Sequence, residues 1–277
     1  MGESPILILK KLEGVCLKLT VSLAQIDIAF GQPAKNFAKI EQFVKQAADQ
    51  KADMVIFPEM WNTGYDLIRL ADIADANGDQ TKHVLAALAR KYNIMVHGGS
   101  VSTKRDGKFY NSTYIFDKDG TEIANYDKVH LFGLMAEDDY LTAGNRKDRF
   151  EINGVAATSV ICYDIRFPEW LRTQSLTDSR IIFVPAEWPT PRLEQWRKLL
   201  AARAIENQSF VVGVNRVGSD PDNRFGGSSV VYDPLGKELL RLNDREQLQT
   251  ITFDSSQTDK VRGSMPVFED RRPDLYE

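Results

Sequence analysis

Cys162 closes the run Thr158-Ser159-Val160-Ile161 and is followed by Tyr163-Asp164-Ile165-Arg166-Phe167-Pro168-Glu169-Trp170. The β-branched run marks a buried strand, and Pro168 fits the first turn of a helix. Cys162 is therefore expected at a strand end facing a helix N-terminus. Backbone N–H groups and the positive dipole end gather there and favour a thiolate or an oxyanion. A lone free cysteine also serves as a small buried hydrophobe, so a nucleophile needs a base and a cation elsewhere in the chain.

The base candidate is Glu59. Met54-Val55-Ile56-Phe57 is a short apolar run of the kind buried on both faces of a sheet, and it opens into Pro58-Glu59-Met60-Trp61-Asn62-Thr63-Gly64-Tyr65. Ligands collect at the carboxyl ends of strands in open α/β sheets. A carboxylate in apolar company has a raised pKa, useful in a general base, whereas a solvated loop glutamate is the commoner fate of the type. The cation candidate is Lys128, in Tyr126-Asp127-Lys128-Val129-His130-Leu131-Phe132-Gly133, ahead of the acidic loop Glu137-Asp138-Asp139. By type alone Lys128 reads as a surface charge, His130 as a structural histidine and the acidic loop as a solvated face. A thiol, a carboxylate and an ammonium that converge can perform acyl transfer. The carboxylate takes the thiol proton, sulfur attacks a carbonyl or nitrile carbon, and the cation with a backbone N–H holds the developing charge. The carboxylate then protonates the departing ammonia and activates water.

The elements that must position these groups alternate in type. Strands are expected over 17–26, 54–57, 94–101, 109–116, 121–126, 158–162, 181–184 and 210–215, and helices over 34–50, 80–92, 169–176 and 193–206. Asn93 suits a helix end, the glycines of 94–101 suit close backbone approach, and Asp106-Gly107 marks a hairpin. Residues 226–237 read as strand, turn, strand. In the helix over 193–206, Trp196, Leu199, Leu200 and Ile205 are expected to face inward. The strand over 181–184 ends Pro185-Ala186-Glu187-Trp188-Pro189, echoing the Glu59 segment, which suggests two polar loops at one sheet edge. Residues 1–17 read as an N-terminal extension and 18–277 as one domain, with a charged tail over 262–277 whose apolar points, among them Met265, Phe268 and Leu275, suit packing on a partner subunit.

The 277 residues are 43% hydrophobic and 27% charged, ordinary for a globular protein. A net charge of -4 gives no electrostatic case for nucleic acid or an anionic membrane. Cys16 and Cys162 form neither a disulfide framework nor a metal-binding CxxC pair, and a reducing, cytoplasmic setting fits them. The apolar runs are far too short to span a bilayer.

Three motifs, Phe57-Pro58-Glu59, Lys128-Val129-His130-Leu131-Phe132 and Ile161-Cys162-Tyr163-Asp164-Ile165-Arg166-Phe167-Pro168-Glu169, resemble in order and separation the signature of the nitrilase superfamily of carbon–nitrogen hydrolases. The similarity runs from about residue 19 to the C-terminus. It implies an α/β fold, a four-layer α-β-β-α sandwich, and a Glu59-Lys128-Cys162 triad. Glu137, seven residues before Gly144, matches the family's second glutamate, and Lys128 with the backbone N–H of Tyr163 would be the oxyanion donors. Tyr163, Arg166, Glu187 and Trp188 are the expected substrate-side residues. No cofactor or metal is implied, the partners are a small amide and water, and a homodimer or higher homo-oligomer is expected. The segment between Lys128 and Glu137 is shorter than in many members, a departure that bears on the cover over the pocket.

Within the superfamily, Tyr163-Asp164-Ile165-Arg166-Phe167-Pro168-Glu169-Trp170 and Arg203-Ala204-Ile205-Glu206-Asn207-Gln208 are most similar to the omega-amidase branch, in particular the bacterial enzymes of methionine salvage that hydrolyse 2-oxoglutaramate. A substrate carboxylate calls for an arginine. Arg166, Arg192 and Arg224 are candidates, with Arg166 alternatively pairing with Glu169 as scaffold. Rival readings are a nitrile or N-carbamoyl substrate, a metal-dependent hydrolase built on Glu59, His130 and Asp164, a Cys-His protease using His130, and a non-catalytic binding module. Three histidines without an HxH or HExxH pair weigh against the metal enzyme, a lysine where an imidazole is needed weighs against the protease, and the intact Glu, Lys and Cys weigh against the binding module.

Overall fold

The computed structural model describes residues 18–276, so the expected extension over 1–17 lies outside the described residues. Helices of two turns or more are labelled here. The first part runs β1 (Lys18–Gln25), α1 (Pro33–Asp49), β2 (Met54–Ile56), β3 (Asp75–Ala76), α2 (Asp79–Tyr92), β4 (Met95–His97), β5 (Val101–Arg105), β6 (Lys108–Phe116) and β7 (Glu122–Asp127). The second runs β8 (Phe150–Ile152), β9 (Val155–Ser159), α3 (Pro168–Ser175), β10 (Ile181–Ala186), α4 (Leu193–Asn207), β11 (Phe210–Asn215), β12 (Val217–Ser219), β13 (Arg224–Gly226), β14 (Val230–Tyr232), β15 (Glu238–Arg241), β16 (Gln247–Asp254) and α5 (Ser256–Ser264).

Two sheets result. One has the order β16-β1-β2-β4-β6-β5-β3 with β7 on β6, and the other the order β15-β14-β11-β10-β9-β8. Leu23, Ile56 and Met95 of the first sheet meet Phe183, Val212 and Val231 of the second in a shared core. On the outer face of the first sheet, Ile40, Phe43 and Val44 of α1 and Leu85 of α2 pack over Val55 and Val96. On the outer face of the second, Leu171 of α3 and Trp196 and Leu200 of α4 pack over Ile182 and Val211. Helix, sheet, sheet and helix layers therefore make the expected α-β-β-α sandwich. Residues pointing to either side of strands such as β2 and β10 are all apolar and buried because each sheet is covered on both faces.

Local chemistry sets the element ends. Pro33 stands in the first turn of α1, where its missing N–H costs nothing. The Asp75 carboxylate accepts the N–H groups of Gln80 (3.1 Å) and Thr81 (2.7 Å) at the start of α2, and Asn93 closes that helix at φ 49°, the left-handed cap asparagine tolerates. The continuous strand expected over 94–101 is instead broken. β4 pairs with Ile115 and Phe116 of β6 and β5 with Lys108 to Ser112 along the same edge, β7 taking the opposite edge, and the Gly98-Gly99-Ser100 crossing between them adds one residue to the register. Gly99 adopts φ +58°, and a Cβ there would lie 2.1 Å from the Pro58 carbonyl oxygen, so the close approach expected of these glycines is real. Ile205 is also not inward but 54% exposed. The buried stripe of α4 is Trp196, Leu200, Arg203, Ala204 and Asn207, and at ~100° per residue Ile205 lies about 140° round from Leu200. Among the described residues no helix is long and apolar enough to cross a membrane.

Candidate active site

β1, β2 and β4 run parallel in one sheet, and β9, β10 and β11 in the other. Their carboxyl ends lie together at one edge of the sandwich, and the residues just past them form the site. Glu59 follows β2. Its loop is pinned to the Gly98–Ser100 crossing by Met60 N–H to Ser100 Oγ (3.0 Å), Ser100 N–H to Pro58 O (3.0 Å) and Trp61 Nε1–H to Gly98 O (2.7 Å). Lys128 follows β7, whose end is fastened where Ser112 Oγ and Arg105 each bond Asp127 at 2.6 Å. Gly144 donates its N–H to Lys128 O at 2.8 Å, and a Cβ on it would meet Asp127 O at 2.1 Å, which explains a glycine seven residues beyond Glu137.

The three charged groups are fully buried and mutually satisfied. Lys128 Nζ lies 2.8 Å from Glu59 Oε1 and 2.7 Å from Glu137 Oε1. Glu59 Oε1 also accepts from Asn111 Nδ2 (2.8 Å), and Glu59 Oε2 accepts the Glu187 backbone N–H (2.8 Å). Tyr65 Oη stands 2.9 Å from Glu59 and 2.7 Å from Glu137, and its single proton serves one of them at a time. Glu137 Oε2 accepts the Phe132 N–H at 2.7 Å. The short segment after Lys128 is thereby folded over the site, with Phe132 and Met135 lining the cleft, so the cover is built within the shorter span.

Burial alone would raise the Glu59 carboxyl, but the charge and hydrogen bond of Lys128, with the Glu187 N–H, hold it below the usual range. Glu137 moves the other way, raised by burial and by the charge of Glu59 against the pull of Lys128. Lys128 is raised despite burial, because Glu137 and Glu59 favour its cation.

Cys162 begins a tight 3-10 turn, Cys162–Arg166, at φ +45°, a backbone state that costs a non-glycine residue free energy and recurs at functional sites. The turn separates it from α3, so the expected exposure to a helix N-terminus is not realised. Burial first, then the charge of Glu59 and the hydrogen bond to it, push the thiol well above its ordinary value. A protonated thiol beside a carboxylate and an ammonium is an arrangement in which the carboxylate can take the thiol proton.

Asp164 secures the turn. Its Oδ2 accepts from Ile161 N–H (2.9 Å) and Tyr126 Oη (2.8 Å), and its Oδ1 from the His130 N–H (3.0 Å). His130 Nδ1 is also 2.8 Å from Asp164 Oδ1, and its ring stacks on Phe167 at 3.7 Å. His130 and Asp164 bond each other while Glu59 is bound by Lys128, Asn111 and the Glu187 peptide, so among the described residues the three do not converge as metal ligands, and His130 serves the turn rather than the thiol.

Tyr163, Arg166, Glu187 and Trp188 line the cleft beside Cys162, together with Arg192. The Arg166 guanidinium lies 5.1 Å from the Trp188 ring centroid and that of Arg192 5.3 Å from Phe132. Arg224 is exposed on β13 and is not among the residues that line the cleft. Tyr65, Asn111 and Arg216 were not singled out from sequence. Only Tyr65, six residues past Glu59, carried a local signal.

A cysteine on a turn between paired sheets, backed by a buried Glu-Lys-Glu cluster, is the arrangement of a carbon–nitrogen hydrolase, and the chain belongs to that family, whose profile matches residues 20–262. It is an amide-hydrolysing enzyme of the nitrilase superfamily, on its omega-amidase-like side. It is similar to the 2-oxoglutaramate amidase of Bacillus subtilis, with 44% identity over 94% of this chain and 100% of that protein. It is also similar to omega-amidase YafV of Escherichia coli, with 34% identity over 79% of this chain and 84% of that one. The solved structure of XC1258 from Xanthomonas campestris, described as a CN-hydrolase superfamily protein with an arsenic adduct in the active site, superposes with a TM-score of 0.86 at 29% identity, covering 92% of this chain and 97% of that one.

Proposed function

We propose that this protein is an omega-amidase that hydrolyses the terminal amide of a small 2-oxo acid such as 2-oxoglutaramate through a thioester on Cys162. The observation that carries the reading is the buried Glu59–Lys128–Glu137 cluster beside the Cys162 thiol in a cleft that also holds two guanidinium groups. The 2-oxoglutaramate amidase of Bacillus subtilis, identical at 44% of positions, supports the substrate.

Glu59 accepts the thiol proton as sulfur bonds to the amide carbon, and the carbonyl electron pair moves onto oxygen. Lys128 Nζ and the Tyr163 N–H hold that oxyanion. As the carbonyl re-forms, the C–N bond breaks, and nitrogen takes the proton from Glu59 and leaves as ammonia. Water enters, gives a proton to Glu59 and attacks the thioester. Collapse expels the Cys162 thiolate, which recovers its proton from Glu59, so amide and water become acid and ammonia. Glu137 fixes Lys128 from the far side, and Arg166 and Arg192, held over aromatic rings, take the substrate carboxylate. The enzyme acts in the cytoplasm as a homodimer in this reading, the latter supported by exposed Met265, Leu275 and Tyr276 of the C-terminal segment.

Ammonia release from 2-oxoglutaramate, 2-oxosuccinamate, glutamine, a simple nitrile and an N-carbamoyl amino acid tests the substrate class. The 2-oxo acid amides should lead in kcat/KM. Arg166→Ala should raise KM for them roughly 10- to 100-fold, the worth of a charged hydrogen bond, and spare an uncharged amide. A nitrile or carbamoyl substrate in the lead would overturn the assignment.

A further inference from the structure

Glu187 is fully buried and lines the cleft, yet the reaction above gives its side chain nothing to do. Its backbone N–H is the donor to Glu59 Oε2, at 2.8 Å. Its carboxyl is bound on one side only, with Oε2 accepting from Arg216 Nη1 at 2.8 Å and Oε1 buried without a partner. Arg216, also fully buried, follows β11 of the second sheet. It donates from Nη2 to Ile28 O (2.8 Å), just past β1 of the first sheet, and from Nε to Val217 O (3.1 Å). Its guanidinium lies over the Phe225 ring at 4.4 Å.

These contacts close a circuit. It runs from Ile28 through Arg216 and the Glu187 carboxyl to the Glu187 peptide, and from there through the N–H to Glu59, which again belongs to the first sheet. The peptide is held from its other neighbour as well, since the Trp188 N–H donates to Asn215 Oδ1 at 2.7 Å. Burying such a pair is poor value for stability, and a carboxyl oxygen left without a partner adds cost. A scaffold contact would be served better by apolar packing. We propose that Glu187 is the positioning residue of Glu59, its Arg216-anchored carboxyl fixing the backbone N–H that aims the base.

The inference rests on the reading of Glu59 as the base. The charged and titratable groups around Glu187 are Glu59 past β2, Tyr65 in the same loop, Arg216 past β11, Asp220 past β12, and Asp27, 3.4 Å from Arg216. Burial, opposed by Arg216 and aided by Glu59 and Asp220, pushes the Glu187 carboxyl up to about 8. Glutamine keeps the shape of Glu187 and an oxygen that accepts from Arg216 Nη1.

The test compares E187A, E187Q and R216K as full-length proteins, with kcat, KM and the pH profile of kcat/KM for 2-oxoglutaramate and with thermal melting of each. E187A should lose roughly 10- to 100-fold in kcat, the scale of a displaced catalytic group, with KM nearly unchanged. Its acid limb should move to higher pH, because Glu59 loses a donor that lowers it. E187Q should recover most of that kcat and restore the limb. R216K, which keeps the charge but loses the fork to Ile28, should shift the limb as E187A does, and it carries the test if E187A does not fold. Wild-type kcat in E187A overturns the inference, and so do equal losses in E187A and E187Q without movement of the limb. E59Q separates the two readings: an active E59Q removes the base assignment itself, whereas an inactive E59Q beside a fully active E187A removes only the positioning role.

Discussion

Replacing Lys128 by methionine should expose how the site is held together. The ammonium is fully buried, 2.8 Å and 2.7 Å from two carboxylates. At an effective dielectric constant of about 20, each contact is worth ~6 kcal/mol before desolvation. Removing one partner of such a buried set costs a net ~3–5 kcal/mol, because the remaining charges are left uncompensated. The sign depends on pH. In the native protein Glu59 sits below the ordinary glutamate value of about 4.5, so its contribution is present above about pH 4.5 and is lost as pH falls through its folded value. In Lys128→Met the two carboxyls face each other without a cation and both move up, so the variant loses stability as pH rises above about 4.5. The deficit should be ~3–5 kcal/mol near neutrality and shrink to ~1 kcal/mol by about pH 4. Urea unfolding followed by the fluorescence of buried Trp61 and Trp196 measures it. The charge-free variant Glu59→Gln, Lys128→Met, Glu137→Gln should regain most of the loss. A deficit independent of pH, or below ~1 kcal/mol at neutrality, would refute the electrostatic account.

Two further outcomes follow from features outside the chemistry. Burial pushes the Asp148 carboxyl to about 7 against two backbone donors, while the unfolded chain releases that proton near its ordinary value, so stability falls as pH rises between the two. Asp148→Asn should therefore add up to ~4 kcal/mol near pH 8 and nothing near pH 4, and a urea-midpoint gain equal at both would contradict this. Gly99→Ala puts a methyl group 2.1 Å from Pro58 O at a positive φ. It should cost at least ~3 kcal/mol and lower kcat through the Glu59 loop, and a variant that unfolds within ~1 kcal/mol of the parent would show that the crossing yields.

The candidate triad was legible because each member carries a local mark: Glu59 and Cys162 end apolar runs, and Lys128 heads a segment whose Glu137 and Gly144 keep a readable spacing. What was hidden depends on the third dimension. Asn111 lies in β6 among residues that read as strand alternation, and its contact with Glu59 spans 52 positions. Arg216 looks like any charged residue after a strand until both sheets close on it. How far burial and the neighbouring carboxylate raise the Cys162 thiol was hidden, because a strand-to-turn pattern does not reveal what surrounds the sulfur. The Arg166 guanidinium lies over Trp188 inside the cleft, a position that supports the substrate-side reading and that its place in the sequence does not disclose. The one-residue register slip at Gly98–Ser100 and the outward Ile205 share one cause: a short apolar stretch does not disclose the register or the face it will present.

The central claim is that the substrate's acyl group is carried on Cys162. Acid quenching during turnover of 2-oxoglutaramate, followed by intact mass and peptide mapping, tests it most directly. A mass increase equal to the substrate less ammonia, located on the peptide containing Cys162 and absent from Cys162→Ala, is the predicted result. An adduct on another residue, or ammonia release by Cys162→Ala at the native rate, would contradict it.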